Sequence, residues 1–211
     1  MHPNPVFHEA EQAENTAFAR ERGFGVLAVT AAAAPDEPPL MSHVPFLLSS
    51  DGGIADLHLV RSNPIARALS SPKAARLAVS GPDGYVSPDW YGIPDQVPTW
   101  NYTAVHLTGV LELRPQEELR ELLDRQSAFF EAKLAPKPAW STGKMDAAAL
   151  DRMMRMIVPV RMRITAIAGT RKLSQNKSEE ARLGAAAGIT SGSGSELAEL
   201  ARLMQVWPAN R

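Results

Sequence analysis

The chain has 211 residues, of which 45% are apolar and 21% charged, and its formal net charge is −1. This length is enough for one domain with a sizeable core, and the composition is typical of ordinary globular proteins. Because cysteine is absent, disulfides, thiolate metal ligands and cysteinyl-flavin links are excluded, and the near-zero charge gives no general attraction to nucleic acid.

The first part of the chain predicts a helix followed by three strands. The helix covers residues 9–22, and we expect it to stop at Gly23. Short β-prone segments, separated by a proline-rich loop at 34–39 and a glycine turn at 51–53, predict strands over 24–30, 40–48 and 54–60. The last two strands form a hairpin. Since Pro45 cannot donate to a strand ladder, we expect an edge or a bulge at that position.

A short helix and a further strand follow the hairpin. The helix covers residues 64–69, and Ser62 or Asn63 is a natural N-cap because a proline comes next. Alternating apolar residues then predict a strand over 74–80. The stretch after it is rich in turn-forming residues, and we expect a separate short strand around 85–87.

The second half of the chain contains long strands and helices. Strands are predicted over 104–113 and 160–168, and a helix over 116–134. Asp146 should cap a second helix whose inward side chains are Leu150, Met153, Met154 and Ile157. In the last strand, the inward side chains should be Val160, Met162, Ile164, Ala166 and Ala168.

The C-terminal region is polar and partly helical. A helical stretch after Asn176 precedes a Gly/Ser-rich linker at 188–195. The final helix is amphipathic through Leu197, Leu200 and Met204. About six strands with two or three helices in one chain predict an α+β barrel. We therefore expect a barrel domain over residues 1–175 and a C-terminal helical extension over residues 176–211.

Several short strings occur together and in a fixed order. They are PNPVF (3–7), SHVP (42–45), LHLVRSNP (57–64), GYVSPDWY (84–91), VPTWNY (97–102), VH (105–106) and KLSQNK (172–177). Together they resemble the PaiB group of FMN-binding negative transcriptional regulators, from residue 3 to about residue 190. Leu57 stands where family members often have glycine, and residues 191–211 are not matched.

The resemblance implies a fold, a cofactor and an assembly. The fold is a six-stranded antiparallel split β-barrel with flanking helices, related to pyridoxamine-phosphate oxidases and flavin reductases. The cofactor is FMN, and the assembly is a homodimer with FMN at the subunit interface. These properties come from the resemblance and not from composition or periodicity.

The segment around the short helix at 64–69 suits the phosphate of FMN. A phosphate favours cations and the free N–H groups at a helix start. Arg61, Ser62, Asn63 and Arg67 lie in this segment, and an arginine can hold a phosphate by two parallel hydrogen bonds. The pattern alone also allows Asn63 to act only as a helix cap, with both arginines solvated. The resemblance favours the phosphate site.

Four further side chains are candidates for contact with the rest of the flavin. Trp100 would pack beside the ring and Asn101 would bond to its polar edge, and the alternative is a loop anchored by aromatic residues. Lys172 and Gln175 follow the last strand, in a string that borders the flavin in the resembling family. For these two residues the alternative is a solvated strand end.

Ser42 and His43 are the remaining candidates for flavin contact. They lie on opposite faces of a regular strand, so both reach one ligand only over a strand end or a bulge. The strand histidines His43, His58 and His106 raise the question of a metal or haem. Their spacing matches no common ligand pattern, so we predict no metal.

The sequence leaves two classes of function open. The resemblance implies a negative transcriptional regulator or flavin-based sensor. The alternative is a flavin-dependent oxidoreductase acting on a small substrate, because a bound flavin itself carries redox chemistry. Support for DNA binding is weak, since the last helix has only Arg202 as a base and the C-terminal helices are too far apart for a helix-turn-helix.

The expected location is the cytoplasm. No apolar run approaches the roughly 18 residues that a membrane helix needs. The first residues contain neither a basic region nor an apolar stretch, so they do not form a secretory signal.

Overall fold

A computed structural model describes residues 2–8, 10–30 and 37–207. Glu9 of the first predicted helix, residues 34–36 of the predicted loop and residues 208–211 of the predicted extension lie outside this range. The helices are α1 Gln12–Arg22, α2 Pro64–Ala68, α3 Leu119–Ala132, α4 Ala147–Met154, α5 Glu179–Ile189 and α6 Leu197–Val206. The strands are β1 Phe24–Val29, β2 Leu40–Leu48, β3 Ile54–Val60, β4 Lys73–Val86, β5 Thr99–Leu113, β6 Ile157–Lys172 and β7 Gly194–Ser195.

The described strands form one sheet in the order β1-β2-β3-β6-β5-β4-β7, and β1 also pairs with β4. This additional pairing closes the sheet into a ring. The registers of β1–β2, β1–β4, β2–β3, β3–β6 and β4–β7 are antiparallel. The predicted α+β split barrel is therefore confirmed, although the described strands include a seventh, the two-residue β7, that the sequence analysis did not predict.

The hairpin of β2 and β3 has the bounds that its alternating pattern predicts. Pro45 lies in regular register opposite Phe24, so β2 has no bulge there. The N–H of Phe46 donates to the carbonyl of Gly23, on the β1 side, over 2.8 Å. The backbone nitrogen of Pro45 therefore faces the β3 side, where the ladder between β2 and β3 begins only at Phe46. Of the two expectations for Pro45, the ladder edge is correct.

One prediction was wrong at β4, which runs without interruption where the sequence suggested a turn and a separate strand around 85–87. The turn-forming residues are held extended because β4 lies between β5 and β7 in the sheet, and β7 pairs with Asp83 and Gly84. Gly84 is also closely packed, since a Cβ there would lie 2.9 Å from side-chain atoms of Ile189 and Leu197. Tertiary pairing thus overrides the local turn preference.

The burial predicted for the helix after Asp146 was partly wrong. Asp146 does cap α4, by accepting a hydrogen bond from the N–H of Ala149 over 2.9 Å. Leu150 is buried, but Met153 is 59% exposed. The helix is only eight residues long, and its inward stripe follows the i, i+4 spacing from Leu150 to Met154 rather than including Met153.

The inward face predicted for the last strand also fails at its C-terminal end. Val160 and Met162 are buried, whereas Ala166 and Ala168 are exposed. The ladder between β3 and β6 ends at the pair of Ile54 and Arg163. Side chains of β6 beyond this pair therefore lose their β3 neighbours, and alternation along the strand no longer predicts burial.

The chain divides into two compact units, as far as its residues are described. Unit 1 comprises Met1–Asn15, Val79–His106 and Ala168–Arg211, and unit 2 comprises Thr16–Ala78 and Leu107–Ile167. The strands β4, β5 and β6 each contribute to both units. No helix in the described part of the chain is long and apolar enough to cross a membrane.

Unit 2 has an aliphatic core and a partly buried charge cluster. Its fully buried large side chains include Leu27, Phe46, Leu57, Leu77, Leu107, Leu111 and Met162. Asp56 is also buried and accepts hydrogen bonds from Arg161 over 2.7 Å and from Arg125 over 3.0 Å. Burial would raise the pKa of Asp56, but these two arginines hold that pKa below its ordinary value.

Unit 1 buries the inner faces of α5 and α6. Its core cluster consists of Val86, Tyr91, Leu173, Ala181, Ala185, Ala186, Ile189, Leu200, Ala201 and Met204. Leu200 and Met204 are buried as the amphipathic pattern predicts, and Leu197 packs against the cluster. The two C-terminal helices therefore share one hydrophobic core with the end of β4 and the turn after β6.

Candidate functional site

The predicted site residues divide between the two units. Ser42, His43, Arg61, Ser62, Asn63 and Arg67 belong to unit 2, where they lie on β2 or in and just before α2. Trp100, Asn101, Lys172 and Gln175 belong to unit 1, where they lie at the start of β5 and the end of β6.

Asn63 caps α2, as its position before Pro64 predicts. Its Oδ1 accepts a hydrogen bond from the N–H of Ile65 over 2.9 Å, which satisfies one free donor of the first turn. Its Nδ2 donates to the Oγ of Ser42 over 3.1 Å. The structure therefore brings Ser42 and Asn63 together, and both atoms of the Asn63 amide are engaged in fixing the turn that leads into α2.

Arg61 holds the preceding turn by contacts with the protein. Its Nε donates to the carbonyl of Arg155 over 3.1 Å, and its Nη2 donates to Oε1 of Gln116 over 3.0 Å. Ser62 is exposed just before the helix, and Arg67 is exposed in its last turn. A hydroxyl donor and a cation are therefore presented to solvent around a turn that other contacts hold in place.

His43 points away from this cluster. It is exposed on the face of β2 opposite Ser42, as the alternation of a regular strand requires. Its ring lies 6.4 Å from that of Phe24 in a stacked arrangement. The structure thus unites Ser42 with Asn63 but does not bring His43 to the same face.

Unit 1 contains a cleft of about 230 Å³ in which two of the predicted residues meet. Asn101 and Lys172 line this cleft. Other residues of its wall are Phe7, Tyr91, Ser174 and Lys177. Among its described residues, the cleft therefore combines two lysines, three hydroxyl-bearing side chains and three carboxamides within one small volume.

A buried hydrogen-bond chain forms the inner wall of the cleft. The Oγ of Ser174 lies 2.9 Å from the hydroxyl of Tyr91 and accepts from Nδ2 of Asn101 over 2.8 Å. Ser174 has a φ of 63°, in the left-handed region that non-glycine residues rarely adopt. This conformation sets its hydroxyl between Tyr91 and Asn101. Burial raises the pKa of Tyr91, against the smaller effect of the bond to Ser174.

The two lysines of the cleft are close enough for the charge of Lys177 to act on Lys172. Lys172 donates to the Oγ1 of Thr99, and Lys177 donates to Oε1 of Gln96 over 2.5 Å. Burial, and after it the charge of Lys177, lower the pKa of Lys172. A like charge close enough to lower a lysine's pKa also concentrates positive potential in the cleft.

Gln175 and Trp100 do not line the cleft. The Oε1 of Gln175 accepts from the N–H of Leu173 over 2.7 Å, and its Nε2 donates to the carbonyl of Arg171 over 2.6 Å. Gln175 therefore shapes the turn after β6. Trp100 is 48% exposed and lies 6.4 Å from the ring of Tyr85, edge to face.

Several residues of the cleft wall were not among the predicted candidates. Tyr91, Ser174 and Lys177 all lie in strings that carried the family resemblance, so this resemblance was the signal that could have found them. Their individual roles depend on the fold of the turn after β6, which places Ser174 against Tyr91. Spacing along the chain does not reveal that contact.

Comparison with known proteins defines the family. Residues 1–166 match the family described as "Putative FMN-binding domain". The chain belongs to this family. A relative from Bacillus subtilis, "Protease synthase and sporulation protein PAI 2", is 29% identical over 164 residues, which cover 77% of this chain and 76% of the relative. The predicted PaiB-type membership is thereby confirmed, and the cofactor of this family is a flavin, FMN.

Solved structures support the fold. The FAD and heme binding protein from Mycobacterium smegmatis superposes with a TM-score of 0.54 at 16% identity, covering 79% of this chain and 73% of that one. The flavocytochrome Anf3 from Azotobacter vinelandii gives 0.53 at 16% identity, covering 81% of this chain and 72% of its own. At this identity the likeness is one of fold alone, and it agrees with a split barrel.

Proposed function

We propose that this protein is an FMN-dependent sensor that acts as a negative transcriptional regulator. The match of residues 1–166 to the FMN-binding family supports the flavin part of this proposal. The relative named PAI 2 supports it, because that name links the relative to sporulation. FMN supplies reversible redox chemistry when it is bound, which is the property that a redox sensor needs.

The phosphate of FMN binds, in this proposal, at the start of α2. Arg67 and Ser62 are exposed there and can donate hydrogen bonds to phosphate oxygens. The bond from Asn63 to Ser42 holds the turn in one conformation, so the donors lose little freedom on binding. Arg61 contributes its positive charge to the site. Its hydrogen bonds to Arg155 and Gln116 mean that its main role is to hold the turn in place.

We propose that the protein is a homodimer in the cytoplasm. Unit 1 exposes Val97 at 72% and Trp100 at 48%. Large apolar and aromatic side chains in solvent are typical anchors of protein interfaces. A second copy of the chain would cover both residues.

In this proposal, the C-terminal helices do not act as recognition helices for DNA. Arg182 of α5 is 3% exposed, and Arg202 of α6 is bound to Glu199 over 2.7 and 2.6 Å. Neither arginine is presented to a phosphate backbone in the way that recognition helices present theirs. The oxidoreductase alternative has less support than the regulator, since the comparisons point to no substrate.

Three measurements on the purified protein test the proposal. The absorption spectrum after incubation with FMN should show bound flavin, and light scattering should give twice the monomer mass of 22.8 kDa. Binding to DNA from the gene's own upstream region should differ between oxidised and reduced flavin, and should weaken as salt is added. The sensor proposal would be contradicted by a protein that binds FMN but has the same affinity for DNA with oxidised and with reduced flavin.

A further inference from the structure

The cleft of unit 1 has the character of an anion site. Lys172 and Lys177 line it together, and no aspartate or glutamate occurs among the described residues of its wall. The charge of each lysine therefore meets no carboxylate within the cleft. An anion held between the two ammonium groups would be stabilised by both, in surroundings partly removed from water.

A second observation points to a ligand in the same place. Asn101 is completely buried, and among the described residues its Oδ1 has no hydrogen-bond partner. Its Nδ2 is already used by Ser174 and by the sulfur of Met204. A buried polar atom without a partner costs free energy, and an N–H or O–H group of a ligand in the cleft would supply the missing bond.

The size of the cleft limits what it can hold. Its volume is about 230 Å³, which is below the roughly 300–1,000 Å³ of pockets for drug-sized ligands. FMN, with a three-ring system, a ribityl chain and a phosphate, belongs to that larger class. In one copy of the chain, the cleft therefore suits a molecule considerably smaller than the flavin.

We propose that the cleft binds a small molecule that carries a carboxylate or a phosphate group together with an N–H or O–H donor. The anionic group lies between Lys172 and Lys177, and the donor bonds to Oδ1 of Asn101. Such a ligand is separate from FMN, so the protein would respond to a metabolite as well as to its flavin. Lys172 and Asn101, predicted from the sequence as flavin contacts, belong in this proposal to the second site.

Calorimetric titration tests the proposal on protein incubated with excess FMN. The probes are inorganic phosphate, propionate and lactate, the last two of which differ by one hydroxyl. We expect saturable binding either of phosphate or of the carboxylates. The probe that binds then shows whether the anionic group of the ligand is a phosphate or a carboxylate. Lactate should bind more tightly than propionate, and equal affinities would remove the donor group from the proposed ligand.

Three variants make the result specific. Lys172→Met and Lys177→Met should each weaken binding at least tenfold, while Lys73→Met, which removes a lysine of unit 2 with the same change in net charge, should leave it unchanged. Thermal unfolding confirms that each variant is folded. The proposal is overturned if no probe binds saturably, if binding survives both cleft substitutions, or if binding occurs only without FMN, which would assign the cleft to the flavin phosphate.

Discussion

Gly188 of α5 lies so close to the indole of Trp90 that a Cβ on the glycine would come within 2.4 Å of the ring. The neighbouring Gly184 approaches the carbonyl of Trp90, where a Cβ would lie 2.5 Å from the oxygen. The two glycines share one side of the helix because they are four residues apart. Trp90 therefore packs against a helix surface that only glycine can provide.

Gly188→Ala should lower the free energy of unfolding. In an exposed helix this change stabilises by roughly 1 kcal/mol, but here the methyl group overlaps the Trp90 ring, and overpacking costs about 1–3 kcal/mol. Urea denaturation measures the difference. Gly143→Ala is the matched control, because its Cβ would have only the Oγ of Ser141 nearby, at 3.7 Å. A Gly188→Ala protein as stable as the parent would contradict the close packing.

Arg182 stabilises the C-terminal end of α6 from within the core. It is 3% exposed and donates to the carbonyls of Met204 and Gln205, the latter over 3.2 Å. A cation at a helix C-terminus satisfies free carbonyls and interacts favourably with the helix dipole. Arg182→Met should cost about 1.5–3 kcal/mol and should speed amide exchange in α6. The control is Arg202→Met, an exposed arginine, and equal exchange in both variants would count against the role of Arg182.

His58 should make the stability depend on pH. Burial lowers the pKa of His58 below its ordinary value of 6.5, against the smaller effect of its bond to Gln126. The unfolded state therefore binds a proton below about pH 6.5 that the folded state does not, and stability falls as the pH is lowered from there. His58→Gln should flatten this fall, by at most about 1.4 kcal/mol per pH unit.

The measurement for His58 is urea denaturation at several values from pH 7 to pH 5. His43→Gln is the control, because it removes an exposed histidine in place of a partly buried one. Parallel profiles of the parent and His58→Gln would show that another group causes the pH dependence.

Arg67→Ala should weaken FMN binding without affecting the fold. Its side chain is exposed, and losing a charge-assisted bond to phosphate costs about 1.5–3 kcal/mol, or one to two decades in affinity. Arg61→Ala should lower both affinity and stability, because Arg61 also bonds to Arg155 and Gln116. Flavin fluorescence titration and urea denaturation separate the two effects. Arg152→Ala in α4 is the control, and unchanged affinity in Arg67→Ala would move the phosphate elsewhere.

The sequence predicts those features that depend on neighbours in the chain. The bounds of β2 and β3 follow from alternation and a glycine turn, and the cap of α2 follows from Asn63 standing before a proline. The resemblance supplied the flavin and the family. Local signals at Gly84 predicted a turn, and they failed because β7, over a hundred residues later in the chain, pairs with this stretch.

The geometry of the candidate sites could not be predicted from the sequence, because it also depends on contacts between residues far apart in the chain. Arg61 is bound by a carbonyl at residue 155, 94 positions away in the chain. The cleft unites Phe7, Tyr91 and Lys172, whose separations follow no helical or strand period. Only tertiary structure decides that the Oδ1 of Asn101 has no partner among the described residues and that Trp100, its neighbour, turns to solvent.

The core of unit 1 also constrains when this protein can fold during its synthesis. Val86 and Tyr91 belong to one buried cluster with Ala185 and Met204, so the ribosome must add about a hundred further residues before this cluster is complete. During that interval these apolar side chains are open to chaperones or to other nascent chains. Even if unit 2 condenses earlier, unit 1 becomes competent to bind any ligand only after Met204 has left the ribosome.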